Sequence, residues 1–372
     1  MTANVLSLRA LNRATLERQL LLDRSELAPV EAVEHLVGMQ AQLPMNPYLG
    51  LWSRLRDFDP VELGRLVTDR ELVRIVLMRT TIHLVSADDC LYLRPLVQPA
   101  LDGELARHRE HAPKLRDVDL APVLAFATNI LGERPHTGPE LRAALGAQFP
   151  DHDPAALAYA CRNNLALVQV PPRGVWGRTS QVTVATAESW LGRPLAANPS
   201  IDEVVLRYLG AFGPASVADV AAWSGLTGSR EVVERLRPRL RTFRDPGGRE
   251  LFDLPDAPRP DPETSAPPRF LPEYDNVMLS HADRSRFASE EHRRAWATGR
   301  IEGSVLHDGF GVATWWLDRD RAARRTTLMI DHIVPVSKPA RAAIEAEGRR
   351  MLRFVDGADT DSGHDVRFVA VP

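Results

Sequence analysis

IDEVVLRYLGAFGPASVADVAAWSGLTGSREVVERLRPRLRTFRDPGGRELFDLP, residues Ile201–Pro255, is the stretch on which the reading of the fold turns. Its first segment sets Val204, Val205, Tyr208 and Leu209 on one face at helical spacing. A second, shorter helix follows over ASVADVAAWSGL, with Ser216 placed to cap it and Gly225 to stop it. The third, SREVVERLRPRL, carries a stripe of Val232, Val233 and Leu236 and is disrupted near its end by Pro238. RTFRDPGGRELFDLP then reads as two short strands around an Asp-Pro-Gly-Gly turn. Three helices and a hairpin in this order predict a winged helix-turn-helix.

The same order recurs upstream. APVLAFATNILG, TGPELRAALG and DPAALAYACRNN are three helical segments, followed by a hairpin, LALVQVPPRGVWGRTSQVTVA, that turns around Pro171–Arg178. A looser copy comes first. Helices around Leu8–Leu22, around Pro29–Met39 and over DPVELGRLVTD lead into the β-rich ELVRIVLMRTTIHLVS. Beyond Pro255 the composition changes. PDAPRPDPETSAPP reads as a linker. RFLPEYDNVMLSH, GSVLHDGFGVATWWLD and RTTLMIDHIVPV are strand-like, and PARAAIEAEGRRMLRFV is a helix. The expected fold is α+β, with three tandem winged helix-turn-helix units (1–118, 119–197 and 198–256) and a small C-terminal β-barrel-like domain with its linker (257–372).

At 372 residues, with 44% hydrophobic and 26% charged residues, the chain has an ordinary globular composition. No apolar run reaches membrane-span length, and the first residues carry no secretory pattern. With only Cys90 and Cys161 as cysteines, this predicts a reduced, cytoplasmic setting. No metal or nucleotide motif occurs, and GFGVAT at Gly309–Thr314 lacks the following helix that a phosphate loop needs, so no cofactor and no metal is expected. The net charge of −3 argues weakly against nucleic acid, but Gly228–Arg249 holds seven Arg against Glu231, Glu234 and Asp245. Lys114 and Lys338 are the only lysines, so the basic side chains are almost all Arg, whose planar fork suits phosphate as well as a solvated helix face.

HLVGMQAQLPMNPYLGLWSRL, His35–Leu55, places Gln40 and Gln42 two residues apart. On a helix the two would point ~200° apart, whereas on an extended chain they share a side. Gly38 can end a helix and Pro44 biases Leu43 toward extended backbone, so the local sequence permits the second geometry. The amides then act together, or else they cap the helix end or lie merely exposed.

With these residues in place, the chain resembles the AlkZ/YcaQ family of bacterial DNA glycosylases. The resemblance covers nearly the whole chain. It rests on the winged-helix units, the C-terminal β domain and the Gln40-Ala41-Gln42 pair after the second helix. MRTTIHLVS (Met78–Ser86), LPEYDNVMLSHADR (Leu271–Arg284) and GSVLHDGFGVATW (Gly303–Trp315) complete it. A Gln-x-Gln pair resembles the AlkZ branch rather than the Gln-x-Asp branch. The resemblance implies excision of bulky N7-alkylated purines, unhooking of interstrand cross-links, and self-resistance to a DNA-alkylating natural product. It makes Gln40 and Gln42 the catalytic pair.

Glutamine is no general base near neutral pH. An N7-alkylguanine, however, is already cationic and leaves as a neutral base. Holding a water below C1′ and favouring an oxocarbenium-like sugar is then a sufficient role. A monofunctional glycosylase requires no lysine nucleophile, and neither lysine is near the pair in sequence.

Candidate DNA contacts are Arg79, Thr81, His83, Arg173, Trp176, Arg178, Arg237 and Arg241. Thr81 and His83 share a strand face, and His83 either meets phosphate or lesion or is a satisfied half-buried histidine. Arg79 either binds phosphate or pairs with a carboxylate. Trp176 and Arg178, at the second hairpin tip, either reach DNA as a wing does or pack on the surface. Tyr274 and Asp275 read as a structural turn rather than chemistry, and one of Trp315 and Trp316 faces the core. The partner is duplex DNA carrying alkylated or cross-linked purines, bound by a monomer in an open site between domains. The competing reading is a winged-helix regulator or drug-sequestering protein without chemistry, because a fold alone does not give a function.

Overall fold

The computed structural model describes residues 5–297, 302–320, 322–323, 325–356 and 363–369. Helix, helix, helix, hairpin is the observed order over 201–253: Ile201–Phe212, Val217–Ser224 and Ser229–Leu236, then strands pairing Arg241–Arg244 with Glu250–Asp253. Local chemistry fixes the middle helix at both ends. The Ser216 hydroxyl accepts from the Asp219 N–H while the Asp219 carboxylate accepts from the Ser216 N–H, and Gly225 closes the helix at φ +72°.

We number the strands β1 Met39–Gln40, β2 Leu72–Val76, β3 Ile82–Ser86, β4 His136–Thr137, β5 Leu167–Gln169, β6 Thr183–Thr186, β7 Arg241–Arg244 and β8 Glu250–Asp253. The C-terminal strands are β9 Arg269–Leu271, β10 Gly303–His307, β11 Phe310–Asp320, β12 Arg325–His332 and β13 His364–Val369. The first two hairpins are joined edge to edge. β2 pairs antiparallel with β5, through Arg74 opposite Gln169 and Ile75 opposite Val168, giving a six-stranded sheet in the order β1-β3-β2-β5-β6-β4. The third hairpin, β7-β8, stands apart.

One apolar core runs beneath the first sheet and into the third helical segment, through Leu36, Ile75, Val85, Val168, Tyr208, Trp223 and Leu236. A second holds the helices Leu120–Glu133, Gly138–Gln148 and Pro154–Asn164 together around Ala127, Leu145 and Leu157.

The C-terminal strands form a sheet ordered β13-β12-β11-β10-β9, antiparallel except for β12 with β13. β9 and β13 are its two edges and are not paired with each other among the described residues, so the β-barrel-like domain expected is here an open sheet. Helix Lys338–Asp356 covers one face, sealing Phe270, Trp315, Leu328 and Met351. Trp315 is the inward member of the tryptophan pair, 3% exposed, with its Nε1 donating to the Leu271 carbonyl at 2.9 Å.

The Pro-rich stretch is held rather than free. Arg18 donates to the Pro258 carbonyl and bidentately to buried Asp253, Arg259 adds a third bond to Asp253, and Arg13 donates to the Thr264 carbonyl. The stretch therefore acts as a strap across helix Leu8–Arg18, which itself stops short of the expected Leu22 because Leu20 takes φ +58°. LPEYDN is likewise a turn followed by the short helix Asn276–Leu279, so only Arg269–Leu271 of RFLPEYDNVMLSH is strand.

Candidate active site

Helix Pro29–His35 ends four residues before Met39, because Val37 and Gly38 both take left-handed backbone, at φ +55° and +86°. Gly38 is required there: a Cβ would lie 2.7 Å from Val85 Cγ1. The chain emerges extended, and β1 places Met39 opposite Leu84 and Gln40 opposite His83 on β3. Gln40 has thus left the helix, the condition for two residues at i and i+2 to share a side.

Both amides are tied to one hairpin, β2-β3. Gln40 is 7% exposed and its Oε1 accepts from Arg79 Nη2 at 3.0 Å. A guanidinium can only donate, so this contact fixes the amide with its oxygen inward and its NH2 outward. Gln42 is exposed, and its Oε1 accepts a long bond from the Ile82 N–H at 3.4 Å. Arg79 is held in turn. Its backbone is left-handed (φ +54°), its Nη1 donates to the Trp223 carbonyl at 2.6 Å, and Gly225 approaches its backbone closely. Burial, and to a lesser degree the Arg284 charge, lowers its pKa to about 10, so it stays a cation at neutral pH. Arg162 Nη2 donates to the Thr80 carbonyl at 3.0 Å. The hairpin tip is therefore the point at which all three helical segments meet.

His83 is 1% exposed. Its Nδ1 lies 3.0 Å from the Thr81 carbonyl, which can only accept, so the proton sits on Nδ1 and the Nε2 lone pair faces Arg79 Nη2 at 3.4 Å. Burial, then Arg79, lowers its pKa to about 3. The unfolded chain takes a proton here near pH 6.5 and the folded chain only near 3. Stability present above pH 6.5 is therefore lost as pH falls through that window. His281, buried beside Arg286, is shifted the same way. A decline of about 2 kcal/mol per histidine is expected by pH 5. Urea midpoints at pH 7 and 5 should show it and should be flatter for His83→Gln; an equal decline in that variant would exclude His83 as a source.

The other sequence candidates are placed as follows. Thr81 donates to the Met78 carbonyl within the hairpin tip. Arg173 donates to the Ser180 carbonyl and is half-buried, and Arg178 is exposed. Trp176 does not project as a wing. Its ring packs 5.0 Å from Tyr48 and 5.3 Å from Phe354 of the C-terminal helix. Arg237 is paired with Glu234 and Glu250, while Arg241 is exposed over Phe243. His83 is enclosed, with its Nδ1 held by the Thr81 carbonyl. Arg79 is turned inward, to Gln40 and the Trp223 carbonyl.

Sequence reasoning missed the braces. Arg74, 2% exposed, donates to the Ala41 carbonyl between the two glutamines at 2.7 Å. A charged residue inside the apolar run LVRIV was the available signal. Asn276 donates to the Gly38 carbonyl at 2.7 Å, and Asn46 to the Glu273 carbonyl at 2.6 Å. Asp275 pairs bidentately with Arg54, both bonds 2.8 Å, with neither side chain exposed. The LPEYDN turn thus clamps the glutamine segment from the C-terminal side, and Tyr274 supplies its left-handed residue at φ +62°. Among the described residues no group of three or more His, Cys, Asp or Glu could hold a metal ion, and no helix is long and apolar enough to cross a membrane.

The DNA glycosylase AlkZ-like family profile matches residues 33–354. An interstrand DNA cross-link repair glycosylase of Streptomyces sahachiroi is 27% identical over 327 residues, 81% of this chain and 85% of that protein. The solved structure of S. sahachiroi DNA glycosylase AlkZ superposes with a TM-score of 0.78 at 21% identity, over 98% of this chain and all of the other, a likeness of fold.

Proposed function

The chain belongs to the AlkZ-like DNA glycosylase family, and from that premise we propose that it hydrolyses the N-glycosidic bond of N7-alkylated purines in duplex DNA. Bulky adducts and interstrand cross-links are included, and the enzyme is monofunctional, monomeric and cofactor-free. The supporting relative is named for cross-link repair. The observation that carries the reading is the amide pair tied to one hairpin, with Gln40 on β1 oriented by Arg79 and Gln42, in the bend just after it, bonded to the Ile82 N–H.

Such a site supplies no general base, and a cationic leaving group needs none. A water that accepts from the outward NH2 of Gln40 and donates to the free lone pair of the Gln42 oxygen keeps one lone pair for C1′. The C1′–N9 bond breaks with its electron pair going to N9, which neutralises the charged purine. The water oxygen bonds to C1′, and one proton passes to solvent. The Arg79 charge lies behind the amide and is directed also at the Trp223 carbonyl.

Within this reading, 1–118, 119–197 and 198–256 are winged-helix units that cradle the duplex, and 257–372 braces the glutamine segment. The exposure of Gln42 supports a site open enough for a large adduct. The setting is cytoplasmic and nucleoid-associated, and self-resistance to a DNA-alkylating natural product is the role this substrate class suits. The test is single-turnover incubation with duplex DNA carrying N7-alkylguanine, with binding followed alongside. Free modified base and an abasic site are expected; binding without release from any charged adduct would sink the proposal.

A further inference from the structure

Many surface arginines of this protein are neutralised by neighbours, as in Arg56–Glu26, Arg65–Asp69, Arg134–Glu140, Arg235–Asp202 and Arg349–Glu345. Arg107, Arg109 and Arg116 differ. All three are exposed, and none has an ion pair among the described residues. They line one open groove of about 560 Å³ between the end of helix Gln98–Arg107 and the start of helix Leu120–Glu133. The acids around it are partly engaged: Asp102 accepts from Gln98 and Glu104 from Tyr159, while Lys114 is taken by Asp153. Glu110, Asp117 and Asp119 are the remaining carboxylates of the stretch, Asp119 accepting from the Ala121 N–H at the start of its helix.

One residue of the groove lining, His108, is held in a ring cluster. The His108 and His111 rings stack 4.6 Å apart at 9°, and both lie against Tyr159, at 4.3 and 4.6 Å. Tyr159 links this cluster to the hairpin tip through Arg162. The Arg162 guanidinium lies 5.6 Å from the Tyr159 ring centroid and donates to the Thr80 carbonyl, next to Arg79. Helix Gln98–Arg107 also packs on the same hairpin tip.

The geometry points to a phosphate-binding groove in which Arg107, Arg109 and Arg116 hold the DNA backbone flanking the lesion. This rests on the glycosylase reading for its partner, duplex DNA. Guanidiniums without an ion pair suit phosphate through their planar donor fork, and they recruit a duplex in a sequence-independent way. In the arginine-rich Gly228–Arg249 segment Arg235, Arg237 and Arg249 are spent on Asp202, Glu234, Glu250 and Asp283, while Arg230, Arg239, Arg241 and Arg244 are exposed without an ion pair among the described residues, so the groove is set apart by its concave lining and not by unpaired charge alone.

The experiment measures binding of the full chain to undamaged duplex DNA across a salt series, with base release from an N7-alkylguanine duplex at saturating enzyme. The triple variant Arg107→Ala, Arg109→Ala, Arg116→Ala should lose roughly tenfold or more in affinity, and its salt slope should flatten by about 2–3. Its release rate at saturation should stay at the wild-type value. The triple lysine variant should keep the slope, which separates charge from folding. Wild-type affinity and slope in the alanine variant, or a loss of saturated rate without a loss of binding, would overturn the groove, as would failure of wild type to bind DNA. If wild type binds but releases no base while the alanine variant loses binding, the groove stands and the glycosylase reading falls.

Discussion

Gln40→Ala is expected to bind duplex DNA within about threefold of wild type while releasing N7-alkylguanine ~10²–10³ times more slowly, the scale of losing one preorganised polar group. Gln42→Ala should fall in the same range. Arg79 gives the prediction its structural content. Arg79→Ala leaves both amides in the sequence but frees the Gln40 oxygen from its 3.0 Å bond, so the amide can rotate. Misplacement alone is expected to cost roughly 10–100-fold. Because Arg79 acts through Gln40, the double variant should be no slower than Gln40→Ala, a non-additivity that a role in binding DNA would not produce. Arg79→Lys cannot reproduce the fork that reaches both Gln40 and Trp223 and should recover little. Additive losses, or a drop confined to DNA affinity, would make Arg79 a DNA contact. Wild-type rates in Gln40→Ala and Gln42→Ala would remove the amide pair from the mechanism.

What could be read in the sequence was what local chemistry decides. Ser216 and Gly225 delimit a helix through bonds made within a few residues. Gly38 ends the helix for reasons internal to the backbone and Gln40 lies on a strand, but the strand stops there and the chain bends at Gln42 and Leu43, where extended backbone up to Pro44 was expected. What could not be read depended on surfaces meeting at long range. The joining of the first two hairpins rests on strands β2 and β5, distant in sequence, finding each other. Trp176 sits on a hairpin tip in sequence, and it packs because helix Lys338–Asp356 brings Phe354 to it. Arg79 turns inward through positive φ at a residue that is not glycine, which no composition signal announces. The open C-terminal sheet departs from the expected barrel-like domain for a related reason: β13 adds parallel to β12 at one edge, which leaves β9 at the other.

The LPEYDN turn joins stability to the site, and Asp275→Ala should show both effects. Asp275 and Arg54 are fully enclosed, and the carboxylate also caps the Val277 N–H. Without it, Arg54 keeps only the Gly50 carbonyl and the Gln19 amide oxygen, and its charge is stranded in the interior. Breaking a buried pair on one side costs ~3–5 kcal/mol, mostly the penalty of the charge left behind. The urea midpoint should fall accordingly, with the denaturant slope unchanged. Arg54→Met in the same chain removes that charge, so the double variant should be more stable than Asp275→Ala alone. This inversion would show that desolvation of the stranded charge, more than loss of the pair's attraction, sets the cost. The turn also presents Asn276 to the Gly38 carbonyl and receives Asn46 at Glu273. Loosening it should therefore slow base release at temperatures where the variant is still folded. A midpoint shift worth less than about 1 kcal/mol would mean that water reaches Arg54. A stability loss with an unchanged release rate would show that the turn supports the C-terminal sheet without holding the glutamines.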